Sequence, residues 1–240
     1  MDKRLQYIYE NFDKLKIGVD DTFNFRCTMC GNCCRDREDI LLSPVDIFNL
    51  AKHFNKQPFE IIKSYCEVYI GNSSKMPIVR LLPIGIDKRC PFLKGNRCSV
   101  HNSKPNVCAL FPLGRSIQLD AKGQSSPSIT YILQKVPCGD KRQTHTVRQW
   151  LKDAGLPIQD LKFIIWNQAI SSLSAKFHEF QKYLSNKELK EIWDYVFVTL
   201  YIDYNVDKKF FPQLKSNLKI VTSKVQSFYD QLMKVVKQQD

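Results

Sequence analysis

The 240-residue sequence contains no run of about 18 apolar residues, so it offers no membrane-spanning helix. It has no glycine-rich phosphate loop, no zinc-protease histidine motif and no Gly-x-Ser-x-Gly elbow. The start, Met1 to Glu10, carries charge with no apolar stretch behind it, unlike a secretory leader. Neither an internal repeat nor a low-complexity tract interrupts the chain. These absences lead to the expectation of a cytoplasmic protein with no membrane association, in a compartment where thiols are kept reduced.

Against that background two features stand out, nine cysteines and a formal net charge of +12. With 43% hydrophobic residues the chain can bury an ordinary core, so it does not need disulfides to fold. Nine reduced cysteines then call for metal. The charge is unevenly spread. Residues 1–155 carry a balance of +9 and residues 156–240 a balance of +3, so the excess accompanies the cysteines. Arg26, Arg35 and Arg37 flank the first cluster, Lys88, Arg89, Lys94, Arg97 and Lys104 surround the second, and Lys141 and Arg142 follow Cys138. Metal-bound thiolates are anionic, and cations beside them offset that charge. This accounts for the basic balance without nucleic acid, for which no reader motif is present.

The first cluster is Cys27-Thr-Met-Cys30-Gly-Asn-Cys33-Cys34. Three cysteines spaced by three can curl around one compact centre, as in bacterial ferredoxin loops, and Gly31 permits the turn. Zinc sites more often pair one Cys-x2-Cys with a distant second pair. The ladder therefore favours an iron–sulfur cluster, 4Fe–4S in the first instance, with zinc as the alternative. Adjacent side chains usually diverge, so Cys34 is expected to serve a second centre or to bridge rather than to share an ion with Cys33.

The second group comprises Cys90, Cys98, Cys108 and, further on, Cys138. The candidate metal ligands are thus Cys27, Cys30, Cys33, Cys34, Cys90, Cys98, Cys108 and Cys138, enough for two four-sulfur sites or for one site with spares. At least one of the later four is expected to meet the first cluster in space. Cys66 falls at an apolar helical position and reads as a buried structural thiol. His101 has ligand spacing from Cys98 but reads better as a solvated loop residue.

The spacing predicts a short helix over 1–17 and a loop over 26–37. A helix capped by Ser43, Pro44 and Asp46 carries Ile47, Leu50, Ala51 and Phe54. A second, from Pro58, runs through Ile62 and Cys66 to Tyr69. Residues 76–90 look extended, Lys94-Gly95-Asn96 forms a turn, and 98–114 is loop-like. A strand pair covers 115–136, split at Lys122-Gly123-Gln124, and Thr146 caps a helix closed by Gly155. Beyond residue 160 the pattern turns helical, in three segments. The last carries Leu214, Leu218, Val221, Val225, Phe228, Leu232 and Val235 as one narrow apolar seam. The fold class is therefore α+β. A small cysteine-rich metal-binding domain of short strands and helices covers 1–155, and a helical subdomain covers 156–240. The helical tail is also the candidate surface for a protein partner.

Taken together, the Cys27 to Cys34 ladder, Leu42-Ser-Pro-Val-Asp46, Cys90-Pro-Phe-Leu93, Cys98-Ser-Val, Pro105-Asn-Val-Cys108 with Phe111-Pro112, and Cys138-Gly139 resemble the YkgJ-type Cys-x2-Cys-x2-Cys-Cys family of zinc- or iron-chelating proteins over residues 23–155. His101 stands where that family often has Tyr, and Lys104 where it often has Arg. The resemblance implies a metal-chelating domain and no single reaction. By analogy alone, a relative, the flagellin lysine N-methylase, suggests a protein-modifying enzyme, but no methyl-donor motif supports that here. A zinc-stabilised nucleic-acid-binding protein is the remaining alternative.

Overall fold

A computed structural model describes residues 3–118 and 126–238. The expected turn at Lys122-Gly123-Gln124 lies outside the described residues. The chain gathers into two compact units. The first takes the residues up to Arg37, then Ile84–His101 and Asn106–Ile164. The second takes Glu38–Pro83, Asn102–Pro105 and the residues from Ile165. Residues 38–83 thus group with the C-terminal helices, whereas the sequence suggested a single break near 155.

The first unit is built on two antiparallel sheets. In one, Lys16–Ile17 and Leu113–Gln118 flank Ser128–Leu133. In the other, Thr22–Arg26 pairs with Asp140–Thr146. The alternation of Thr22–Arg26 turns Phe23 and Phe25 inward, where they pack with Leu110, Leu113, Tyr131, Val147, Leu151 and Leu156. Trp150 sets its edge against both phenylalanine rings and its indole N–H donates to the Leu110 carbonyl at 3.0 Å. Thr146 caps the helix Val147–Asp153 by accepting from the Gln149 N–H, and Gly155, at φ +68°, closes it. Arg115 and Asp160 form a buried ion pair at 2.9 Å. Asp160 also accepts from the N–H groups of Lys162 and Phe163 at the start of the helix Leu161–Tyr183.

The second unit places the helices Pro44–Phe54 and Pro58–Tyr65 against a three-stranded sheet, in which Leu41–Leu42 and Cys66–Ile70 flank Pro77–Leu81. The Asp46 carboxylate reaches back to the Ser43 N–H at 2.8 Å, the capping box that the sequence announced. The second helix is shorter than its apolar spacing predicted. It ends at Tyr65, and Cys-Glu-Val-Tyr-Ile becomes a strand whose backbone pairs with Pro77–Leu81. Val68, Tyr69 and Ile70 suit a pleated surface better than a helix, and pairing with a neighbour decides the matter. The extended stretch expected over 76–90 is likewise strand only over Pro77–Leu81. Beyond it Gly85, at φ +72°, turns the chain and Ile84 bridges Arg89.

Three further helical segments complete this unit. The helix Asn186–Phe197 continues into the π-helical turn Val198–Ile202, and the last helix runs Phe210–Val236. The seam Leu214, Leu218, Val221 and Val225 is buried, while Phe228 and Val235 further along are exposed. Phe48 of the first helix packs against Tyr204 and Phe210, which ties residues 38–83 to the C-terminal helices within one core. The architecture is α+β with a helical C-terminal region. No described helix is long and apolar enough to cross a membrane.

Candidate metal centre

All eight candidate cysteines belong to the first unit, and Cys66 to the second. Each of the nine is a free thiol. The ladder leaves the strand Thr22–Arg26, passes Met29 at φ +52° and Gly31 at φ +75°, and folds into a single 3-10 turn, Asn32–Cys34. The positive angle at Gly31 turns the loop back. A side chain there would meet the backbone of Asn96 at 3.3 Å, so the loop lies directly against the tip of a hairpin. That hairpin pairs Leu93–Lys94 with Arg97–Cys98 through Gly95 and Asn96, the turn read from the sequence. The two clusters therefore meet.

Backbone bonds fix the approach. The Cys90 N–H donates to the Cys34 carbonyl at 2.8 Å, and the Asp36 N–H donates to the Asp87 carbonyl at 3.0 Å. Arg35 spans the gap, pairing with Asp87 at 2.9 Å and donating to the Gly95 carbonyl and the Asn96 side chain. Cys108 rides on the short helix Asn106–Leu110, whose last carbonyl is held by Trp150. Cys138 arrives from the other side. Gly139 sits at φ +75° so close to the strand that a Cβ would lie 2.4 Å from the Phe25 ring and 2.8 Å from the Arg26 carbonyl oxygen.

The thiols then face one another. Cys138 lies in the fields of Cys33, Cys30 and Cys27. Cys34 lies in the fields of Cys33, Cys90 and Cys108. Cys90 has Cys98 and Cys33 as neighbours. The sulfurs of Cys33 and Cys34 are 3.8 Å apart, so these consecutive side chains converge where divergence was expected. The 3-10 turn is what brings them together.

The crowding shows in the acidities. Burial, followed by the charge of Cys33, Cys30 and Cys27, pushes Cys138 up to about 12. Cys34 is driven well above the thiol range, first by its bond to Cys33 and then by burial. Burial raises Cys90, against the Phe92 N–H and Arg37, which lower it. Cys30 moves the other way, because the N–H groups of Asn32 and Gly139 and the Thr28 side chain donate to its sulfur. Thr28 and the Gly139 N–H were not singled out from the sequence, although the glycine following Cys138 was the available signal.

Among the described residues no group of three or more His, Cys, Asp or Glu side chains is placed to hold a metal ion. The donor set nevertheless fits a thiophilic cation. Half-buried thiols carried by the ladder, the hairpin and the Cys138 loop are the donor type such a cation takes, and a bound metal would deprotonate them outright. His101 sits in the 3-10 turn His101–Ser103, exposed, as a loop residue would. His145 and His178 are occupied elsewhere, against the carbonyls of Phe25 and Ser73.

No curated protein and no solved structure matches the chain. Residues 26–129 match the family model CxxCxxCC, described as a putative zinc- or iron-chelating domain. The match takes in seven of the eight candidate ligands and stops short of Cys138, which the fold returns to the ladder. Over residues 26–129 the chain is thus similar to a family of cysteine domains described as zinc- or iron-chelating.

Proposed function

We propose that the domain is an iron–sulfur module of the cytoplasm and that Cys27, Cys30, Cys33 and Cys138 hold a 4Fe–4S cluster. The observation that carries this is the close approach of the Cys138-Gly139 segment to Phe25 and Arg26, where the ladder leaves its strand. The ladder alone offers three sulfurs, and a cubane takes four. Backbone N–H groups aimed at Cys30 support the same reading, because such bonds stabilise anionic sulfur and tune cluster potential. When bound, the cluster would supply one-electron redox chemistry. The chain's own residues hold the four sulfurs and supply the N–H donors around them.

Anaerobic purification from iron-replete cells tests this directly. The expected product is brown, with iron and acid-labile sulfide in similar amounts. Zinc alone, with no labile sulfide, overturns the proposal and leaves the chelating domain intact.

A further inference from the structure

We propose that the metal-binding unit docks on the anionic surface of a membrane by inserting a rigid apolar tip, Ile86, with Lys88, Arg89, Lys94 and Arg97 as a cationic rim. The chain lies on the surface and does not cross it. The proposal is independent of which metal the cysteines take.

The turn that carries the tip is fastened from within and from without. The Ile84 N–H donates to the Arg89 carbonyl at 2.8 Å, the Arg89 N–H returns a bond to the Ile84 carbonyl at 3.0 Å, and the Lys88 N–H donates to the Gly85 carbonyl at 3.2 Å. From the ladder side, the N–H groups of Asp36 and Arg37 donate to the carbonyls of Asp87 and Lys88, and the Arg35 guanidinium pairs with the Asp87 carboxylate. The side chain held at this tip is nevertheless an isoleucine at 104% relative exposure, with Ile84 beside it at 45%. A single exposed apolar residue is ordinary on a surface. Here the exposed residue stands at the end of an ordered turn, so little conformational entropy is lost when something apolar receives it.

The charge around the tip says what receives it. Arg35 also donates to the Gly95 carbonyl and the Asn96 side chain, which sets the hairpin tip beside the turn. The hairpin buries Leu93 and leaves Lys94 and Arg97 exposed. Lys88 and Arg89 are exposed on the turn itself. Of the carboxylates alongside, Asp87 is held by Arg35, and Asp36 alone faces the four cations. The face thus has an apolar point and a positive surround. An anionic bilayer presents the complement in the matching order, negative headgroups first and hydrocarbon beneath, and its fluid surface yields to a convex tip. A protein partner would need a preformed pocket inside an acidic rim. The cytoplasmic leaflet is the anionic one, and an apolar insertion together with a basic cluster supplies the two signals that stable surface binding takes.

The test uses the full chain, with the metal it carries on purification, co-sedimented with vesicles of phosphatidylcholine alone or mixed with phosphatidylglycerol. Binding is expected to the mixed vesicles only, and it should weaken as salt rises. Ile86→Ser should weaken it roughly tenfold through the lost apolar burial. Lys94→Gln combined with Arg97→Gln should weaken it roughly 30-fold, at about fivefold per cation. Ile220→Ser, a change at an exposed isoleucine of the last helix, should leave binding unaltered. Ile86→Trp should add a blue-shifted emission on binding that lipids brominated in their acyl chains quench. Failure to bind the mixed vesicles overturns the proposal and leaves the tip to an acidic protein partner. Binding that survives Ile86→Ser, or that falls equally with Ile220→Ser, overturns it as well and reduces the interaction to adsorption of a basic protein. So does an Ile86→Trp emission that brominated lipid leaves untouched.

Discussion

Three glycines in the metal-binding unit share a left-handed backbone but differ in what lies beyond the missing side chain, and this makes them a graded probe of how the site is assembled. Gly95 has φ +59° and open space around its missing Cβ. Gly95→Ala therefore costs only the backbone term, about 1 kcal/mol. Gly31, at φ +75°, has the Asn96 Cα and carbonyl oxygen at 3.3 Å. There the hairpin tip must give by a few tenths of an ångström, which adds an overpacking cost and brings Gly31→Ala to about 2–3 kcal/mol. Gly139 is the severe case, because a Cβ would fall 2.8 Å from the backbone oxygen of Arg26. Either the Thr22–Arg26 strand or the Cys138 loop must move, at about 3–5 kcal/mol. If metal binding requires the clusters to be docked, these costs pass into affinity at about 1.4 kcal/mol per tenfold. Chelator competition on the full chain should then show losses of roughly fivefold for Gly95→Ala, 30- to 100-fold for Gly31→Ala and more again for Gly139→Ala. Denaturant unfolding of the metal-free chain should rank the three alike. Equal losses at Gly95 and Gly31 would show that the close approach of ladder and hairpin has no part in holding metal, and an undisturbed Gly139→Ala would remove Cys138 from the site.

Cys30→Ala should lower bound metal far more than Cys66→Ala, as measured by elemental analysis, because Cys66 lies in the second unit on the strand Cys66–Ile70. Burial raises Cys66 from an ordinary 9.0 to about 12. Its neutral form is the one that suits the fold, so the stabilisation is complete below pH 9 and lost as pH rises from 9 toward 12. Alkaline unfolding curves should be shallower for Cys66→Ala, by up to about 4 kcal/mol across that window. Asp160→Ala should cost about 3–5 kcal/mol in denaturant, since it strands the buried Arg115 and uncaps two N–H groups, with Asp160→Asn recovering part of the loss. Arg37→Ala removes the donor to the Cys33 carbonyl and the cation that favours ionised Cys90, and should weaken metal retention roughly tenfold against chelator. Arg37→Ala that holds metal as tightly as wild type would show that the guanidinium is incidental.

Elements that carry their own punctuation were legible in the sequence. Ser43-Pro-Val-Asp46 and Thr146 cap helices as their residue types require, and Gly95-Asn96 closes a hairpin. The readings that needed correction are those where local pattern competes with a distant partner. Cys66 to Ile70 can be laid on a helix face as easily as on a strand, and only the pairing with Pro77–Leu81, several residues on, settles it. The grouping of residues 38–83 with the last helix has the same origin. Phe48 finds its aromatic neighbours at Tyr204 and Phe210, more than 150 positions away, and nothing in either segment names the other.

The charges around the cysteines show the same limit in the site itself. By composition, each Arg near a Cys looked like a counterion for thiolate. The structure assigns most of them to carboxylates or carbonyls first. Arg26 and Arg142 both hold Asp140, beside Cys138, and Arg35 holds Asp87 and the hairpin tip. Arg26 and Arg35 each fasten one cysteine-bearing segment to another, so their contribution to the site is positional before it is electrostatic, while Arg142 braces Asp140 within its own strand. Arg37 differs, since its field reaches Cys90 and lowers it. A basic composition near thiols therefore does two jobs that sequence cannot separate. Carboxylates such as Asp87 and Asp140 neutralise the clamps and leave the thiols to be balanced chiefly by what they bind. Burial and neighbouring thiols raise the pKa of Cys34, Cys90 and Cys138, so a cation binding among them would release protons, and its binding would be coupled to the docking of the ladder, the hairpin and the Cys138 loop.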